Sequence, residues 1–311
     1  MCEYVTGFRL PSAKLQREII AKRMEHNGGA YGYIDNPYPC GLFDSRDLWE
    51  LSLKTVTILY GGNGSGKSTL LNVMASCMEL NRVSPFNSGE VFDDYARACS
   101  YTMGYDEEGF IYRIPNKSRI ITSDDIFDYM LTIRTNNEDI AENIEEGRKA
   151  WTEFRYADTV KVGNVLENYE EFRIQMLARN KSVSRRQFIR KVVGEETKLS
   201  SNGETAIMYF REKLKNETLY CLDEPENSMS PAMQMELLSV LEEKAYRCGC
   251  QFIIATHSPF LLSMSGARIY DLDASPVTIR NWWQLENTRI YYEFFRKHSR
   301  LFEDNSELIS N

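Results

Sequence analysis

Short apolar runs that stop at turn residues alternate along this chain with longer stretches whose apolar positions repeat at helical spacing. Thr55-Val-Thr-Ile-Leu-Tyr60 is β-branched, apolar and halted by glycine, which predicts a buried parallel strand. Leu219-Tyr-Cys-Leu-Asp223 and Gln251-Phe-Ile-Ile-Ala-Thr256 read the same way, and Arg268-Ile-Tyr-Asp-Leu272 adds a fourth strand. Thr69 to Met78 predicts a helix after the first strand. Pro231 to Tyr246 predicts another, with Ser230 as N-cap and Pro231 at the first helical position. A helix opens at Ser200-Ser-Asn-Gly-Glu204, where Ala206, Ile207, Phe210 and Leu214 share one face. An aromatic-rich helix is expected from about Leu285 to His298. Strands alternating with helices make an α/β core.

Residues 81–198 have a different texture. They are polar and mostly helix-like, acidic from Asn137 to Glu146 and basic from Arg179 to Lys191, with no lasting heptad pattern and no internal repeat. The expected organisation is a core of residues 1–80 and 199–311, interrupted by an inserted helical lobe at 81–198.

Composition narrows the class. The chain has 311 residues, 37 Lys+Arg against 45 Asp+Glu and a net charge of −8, an ordinary soluble balance that does not suit a surface coated for nucleic acid. The longest apolar run is five residues, Ala206 to Phe210, against the ~20 that span a bilayer, so no membrane association is expected. The start, MCEYVTGFRL, lacks the basic and apolar regions of a signal peptide. Seven cysteines without CxxC spacing read as reduced thiols, and a cytoplasmic location is expected. With only His26, His257 and His298 in the chain, a histidine-rich metal site is excluded.

The chemistry concentrates in two places. Gly61-Gly62-Asn63-Gly64-Ser65-Gly66-Lys67-Ser68 fits G-x-x-x-x-G-K-[ST] between a predicted strand and a helix beginning at Thr69. Glycines let successive backbone N–H groups cradle phosphate oxygens. Lys67 then places its charge on the β/γ-phosphates, and Ser68 offers Mg2+ a hydroxyl. Downstream, an apolar strand ends in Asp223-Glu224, the acidic partner such a loop requires. Asp223 would hold the Mg2+ shell, and Glu224 would deprotonate the attacking water.

Together these motifs resemble those of the ATP-binding-cassette (ABC) ATPases, so the expected fold class is an α/β P-loop NTPase, an ABC-ATPase head with an inserted mainly helical lobe. In that resemblance Ser200 to Glu204 corresponds to the signature motif, with Ser201 and Gly203 facing nucleotide. Asp223-Glu224 corresponds to Walker B and the catalytic glutamate, His257 to the switch histidine on the γ-phosphate, and Asn227 to Pro231 to the D-loop. The stretches Asp223 to Pro231 and Ala255 to Leu262 resemble the non-transporter branch of SMC, RecF and OLD-type heads. Within it the chain is most similar to small bacterial AAA/ABC-type ATPases of phage-defence modules. It departs in having Asn202 where the signature has glycine, and Ile121 to Ile126, without a glutamine, at the Q-loop. Tyr31, Tyr33 or Tyr38 could stack on adenine or pack on the core.

The resemblance implies a mechanism and partners. ABC chemistry closes the phosphate loop of one subunit on the signature of another, so a single set of motifs implies a homodimer or higher oligomer holding ATP and Mg2+. Only 54 residues follow His257, too few for an OLD-type nuclease domain, so the expected output is control of a separate nuclease or toxin effector. A scaffold with little turnover, a transporter ATPase and a RecF-like DNA-repair ATPase are the alternatives. Arg179, Lys181, Arg185, Arg186, Arg190 and Lys191 suit either a DNA or RNA groove or a solvated helical face. Trp282 to Phe295 suits core packing or a docking surface.

Overall fold

The apolar runs assemble where their burial demands. In the computed structural model, which describes residues 2–26, 36–86, 88–156, 169–179, 183–184, 187–188 and 202–303, two sheets are formed. The larger has six strands in the order β5-β6-β7-β3-β8-β9. These are β3 (Val56–Tyr60), β5 (Arg119–Thr122), β6 (Leu219–Asp223), β7 (Gln251–Thr256), β8 (Arg268–Asp271) and β9 (Thr278–Ile279). All but β9 run parallel to their neighbours. Every residue of β3 and β7 is buried, which explains why both read as unbroken apolar runs rather than as alternating ones.

The smaller sheet is antiparallel, β2-β1-β4, from β1 (Val5–Arg9), β2 (Glu50–Ser52) and β4 (Ser100–Met103). Buried Gln251 ties it to the larger sheet: its side chain accepts from Val5 N–H at 3.0 Å and donates to Val5 O at 2.7 Å and Lys54 O at 3.0 Å. One apolar core joins the two, running from Phe8 and Leu51 through Leu71 and Met74 to Ile253 and Leu272.

The helices are α1 (Ala13–His26), α2 (Lys67–Cys77), α3 (Glu90–Ala98), α4 (Ser123–Tyr156), α5 (Tyr169–Arg179), α6 (Asn202–Lys213), α7 (Pro231–Arg247), α8 (Pro259–Leu262), α9 (Glu286–Lys297) and α10 (Ser299–Glu303). Ser230 caps α7 as expected, its hydroxyl accepting from Met233 N–H at 3.4 Å. All seven cysteines are free thiols. Among the described residues no helix is long and apolar enough to cross a membrane.

The chain divides into two compact units, 1–126 with 202–311, and 127–201. Residues 81–126, expected to open the inserted lobe, instead supply α3, β4 and β5 to the first unit. The polarity that marked them as insertion is that of an edge: β4 is mostly exposed, and β5 has a strand, β6, on one side and only the single bridge Asn81–Arg119 on the other. The second unit has a small core of its own, in which Trp151 and Phe188 lie 5.1 Å apart beside Ala178 and Val183. Of the basic run, Lys181, Arg185, Arg186, Arg190 and Lys191 lie outside the described residues. Arg179 donates to Phe154 O at 3.2 Å.

Of the two readings of Trp282 to Phe295, core packing is not observed for most of it. Only Leu285 and Thr288 of the aromatic stretch are buried, while Trp283, Tyr291, Tyr292, Phe294 and Phe295 are exposed. The stretch does not pack into the core because α9 leaves the body after its first turn.

Candidate functional site

Three adjacent parallel strands, β6, β7 and β3, end on the same side of the sheet, and each delivers chemistry at its carboxyl end, where open α/β sheets bind ligands. After β3 the chain turns through Gly61 to Gly66 into α2. Gly64 and Gly66 adopt φ of 80° and 91°, a left-handed conformation that side chains resist. Gly61 is required for space instead: a Cβ there would lie 2.5 Å from Ser65 Oγ. Gly62, Asn63 and Gly64 form the exposed tip, whereas Ser65 and Lys67 are buried.

Lys67, 4% exposed, is held inside the loop that carries it. Its Nζ donates to Gly61 O at 2.7 Å and Gly62 O at 3.1 Å and lies 3.6 Å from Glu224 Oε1. Ser68 Oγ donates to Asp223 Oδ1 at 2.9 Å. Burial pushes the Asp223 carboxyl up to about 6. The Ser68 hydroxyl and Lys67 counter this, and Glu224 adds to it. Glu224 itself leaves β6 at a φ of 45°, its N–H still donating to Ala255 O at 2.8 Å. His257 follows β7, with Nδ1 3.8 Å from Glu224 Oε1.

The sequence reading gave no role to several residues that complete this arrangement. Glu226, 4% exposed, lies beneath the His257 turn. Its Oε1 accepts from the Thr256 hydroxyl, from His257 N–H at 3.3 Å and from Ser258 N–H at 3.2 Å. Burial raises its pKa, opposed by the Thr256 hydroxyl. Its Oε2 and His257 Nδ1 are buried atoms that make no hydrogen bond among the described residues. Asp273 accepts from Gly62 N–H at 2.7 Å, and Arg46 donates to Ser65 O. The Phe43 ring lies where a Cβ on Gly66 would come within 3.1 Å. Asp273, Arg46 and Phe43 carry no local motif and are brought to the loop by the fold; Glu226 lies within the Asp223 to Pro231 motif, which gave it no role of its own.

Other candidates divide. Tyr38 reaches the loop: its hydroxyl shares a hydrogen bond with Thr69 Oγ1, and its ring stacks on Phe92 at 6.5 Å. Tyr31 and Tyr33 lie outside the described residues. Gly203 is in the first turn of α6, and Ser201 lies outside the described residues. Where β5 leaves the sheet Thr122 pairs with Asp223, so Thr122 and Ser123 stand where the Q-loop glutamine was sought. Asp125 pins that turn, accepting from Thr122 N–H at 2.7 Å and Ser84 Oγ at 2.7 Å.

This arrangement can cradle an anion on the loop and hold a hard divalent cation. A hydroxyl and a carboxylate 2.9 Å apart suit magnesium completed by phosphate and water oxygens. A half-buried Asp223 with a raised pKa fits a carboxylate that such a cation would neutralise.

Comparison with known proteins agrees with this geometry. The family profile described as "ABC transporter" matches residues 47–227, more than half of the chain. A second, "AAA domain, putative AbiEii toxin, Type IV TA system", matches 205–263. No curated protein matches. Among solved structures, cbiO1 from Clostridium perfringens, part of the ABC transporter complex cbiONQ, is 15% identical, with 97% of this chain and 100% of that chain covered and a TM-score of 0.36. The ATP-binding cassette MJ0796, a dimer in a post-hydrolysis state bound to ADP and Pi, is 13% identical over 71% of this chain and 83% of that one, with a TM-score of 0.32.

Proposed function

The chain belongs to the ABC transporter family through its ATP-binding domain, and on that premise we propose that it binds and hydrolyses Mg-ATP as a dimeric switch that controls a partner nuclease or toxin in bacterial phage defence. The observation that carries this reading is the convergence of Lys67, Ser68, Asp223, Glu224 and His257 at the ends of three neighbouring strands, with Glu224 Oε1 3.6 Å from Lys67 and 3.8 Å from His257. Residues 61 to 69 wrap the triphosphate, Lys67 bridging its β- and γ-phosphates. Ser68 and Asp223 hold Mg2+, which supplies charge neutralisation on the phosphates. Glu224 takes the proton from the attacking water, and His257 fixes the γ-phosphate.

One signature, Ser200 to Glu204, serves the partner's nucleotide, so closure requires two chains. The match over 205–263, whose description names a toxin system, supports an effector-controlling rather than a transporting role, as does the lack of a Q-loop glutamine.

The test is light scattering of Glu224→Gln with and without Mg-ATP. The variant keeps the phosphate contacts but loses the base, so hydrolysis slows about 10²–10⁴-fold. ATP should then hold it as a closed dimer, and adding Ser201→Arg should prevent closure. If ATP changes neither mass nor shape in Glu224→Gln, the composite site is wrong.

A further inference from the structure

The chain carries a net charge of −8, yet one cavity away from the nucleotide site is lined mostly by cations. It has a volume of about 360 Å3, lies at the amino ends of β5 and β6, and is walled by Lys117, Arg119, Glu212, Lys213, Lys215 and Tyr220. Four cations thus face one carboxylate. The catalytic residues stand at the carboxyl ends of the same sheet, roughly 16 Å away along the five residues of β6.

Tyr220 lies under the floor and joins the two walls. It is 1% exposed, its backbone is in register with Arg119 of β5, and its hydroxyl accepts from Lys215 N–H at 2.7 Å. One wall is therefore the start of β5, and the other is the end of α6. The helix wall has an internal explanation. Lys213 and Lys215 stand at the C-terminal end of α6, where cations complement the helix dipole. Lys213 Nζ donates to Glu212 Oε1 at 2.8 Å, and Lys215 Nζ to Glu212 O at 2.8 Å. The strand wall has no such explanation. Among the described residues neither Lys117 nor Arg119 makes a side-chain hydrogen bond or ion pair, although Arg119 is half-buried. A partly desolvated guanidinium that meets no acid is costly unless a ligand brings the counter-charge.

We propose that this cavity binds a compact polyanion, a small molecule bearing two or more phosphate groups, at a site separate from the glycine-rich loop. Arg119 offers a planar fork to phosphate oxygens, and the lysines add point charges. A single carboxylate would leave most of the cluster's charge unmatched. The volume falls at the lower end of the range that holds small molecules. Cations that face one another across a concavity suit a compact ligand better than a strand laid along a groove. The one ring in the lining, Tyr220, is buried and gives a base no face to stack on.

The test is titration calorimetry with tripolyphosphate on Lys67→Ala, in which the glycine-rich loop no longer competes for phosphate. One tripolyphosphate should bind per chain, with an affinity that falls as salt rises. In that background Lys117→Glu and Arg119→Glu should each weaken binding at least about tenfold. Lys117 is exposed, so its reversal leaves the fold intact even where that of half-buried Arg119 does not. With Lys67 restored, Lys117→Glu should bind ATP at the parent's affinity, which separates this cavity from the nucleotide site. A Lys67→Ala protein that binds no tripolyphosphate overturns the proposal, as does binding that Lys117→Glu and a folded Arg119→Glu leave unchanged. A single-stranded oligothymidylate that binds more tightly than tripolyphosphate, and is lost in the same variants, would make the ligand a nucleic-acid strand and overturn the compact one.

Discussion

Glu226→Ala separates the support of the His257 turn from nucleotide binding. Glu226 Oε1 receives three donors, and their fates differ once it is gone. Ser258 N–H keeps a partner, since it already donates to Thr256 Oγ1 at 3.0 Å, and the Thr256 hydroxyl is free to turn. His257 N–H loses the side-chain acceptor found for it, at about 1–3 kcal/mol for a buried unpaired donor. Removing a buried carboxylate whose pKa burial has raised returns part of that cost. The net destabilisation is about 1–2 kcal/mol, or roughly 2–8 °C in Tm for a unit of this size. Turnover should suffer more. A His257 turn free to shift by about 1 Å costs up to about 10²-fold in rate, while Lys67, Ser68 and Asp223 make no hydrogen bond to Glu226 and should hold ATP within about threefold of the parent affinity. Glu226→Gln keeps an acceptor in place and should recover most of the rate. Steady-state phosphate release, a nucleotide titration and a melting curve on the three proteins decide it. If Glu226→Ala turns over like the parent, or loses ATP affinity in step with rate, Glu226 does not position His257.

Lys67→Ala should abolish measurable ATP binding in a titration, because the loop loses its buried cation. Gly61→Ala forces a Cβ to within 2.5 Å of Ser65 Oγ and should lower ATP affinity at least about tenfold through the distorted loop, read in the same titration. In the nucleotide-free protein Asp223 binds its proton up to about pH 6 when folded but releases it near 3.8 when unfolded. The native state therefore holds the extra proton between those values, and stability falls as pH rises through that window. The fall is about 3 kcal/mol at most, and Asp223→Asn should flatten it in urea melts over a pH series.

The main sheet and the turn of the glycine-rich loop were legible because both are written locally. β6 and β7 begin and end where their runs do, since strands buried on both faces admit a polar residue only where, like Gln251, it has partners for its polar atoms. Ser230-Pro231 marks the start of α7 for an equally local reason, a cap followed by a residue with no N–H to satisfy. The antiparallel sheet was not legible. β2 is three residues long, and β1 (Val-Thr-Gly-Phe-Arg) has too weak an alternation to stand out; both are strands because Gln251 and the core hold them. β5 failed for length too, and with it the boundary at residue 81. Glu226, Asp273 and Arg46 were beyond reach for another reason: each acts on a loop distant in sequence, and an acidic residue after a strand looks the same whether it meets solvent or a buried turn.

The acid content of the site bears on how the nucleotide enters it. Asp223, Glu224 and Glu226 fall within four consecutive positions, the first and last largely removed from water. Lys67 faces Glu224 at 3.6 Å and the Arg82 charge is felt at Asp223, so the carboxylates outnumber the cations fixed near them. A triphosphate arriving alone would meet that negative field at short range, and the loop's N–H groups with one lysine would have to overcome it. On the proposed reading, a divalent cation held by Ser68 and Asp223 would reverse the sign where the phosphates bind. Burial that costs the empty protein stability at Asp223 would thereby favour the metal complex over free nucleotide. Glu224 shares in the same arrangement. Its left-handed φ of 45°, a strain of about 1–3 kcal/mol for a side-chain-bearing residue, takes it out of the strand path and leaves its carboxylate between Lys67 and His257. Asp223, one residue earlier and still in register with β7, stays on Ser68. Two adjacent acids thus acquire different work from a single backbone torsion.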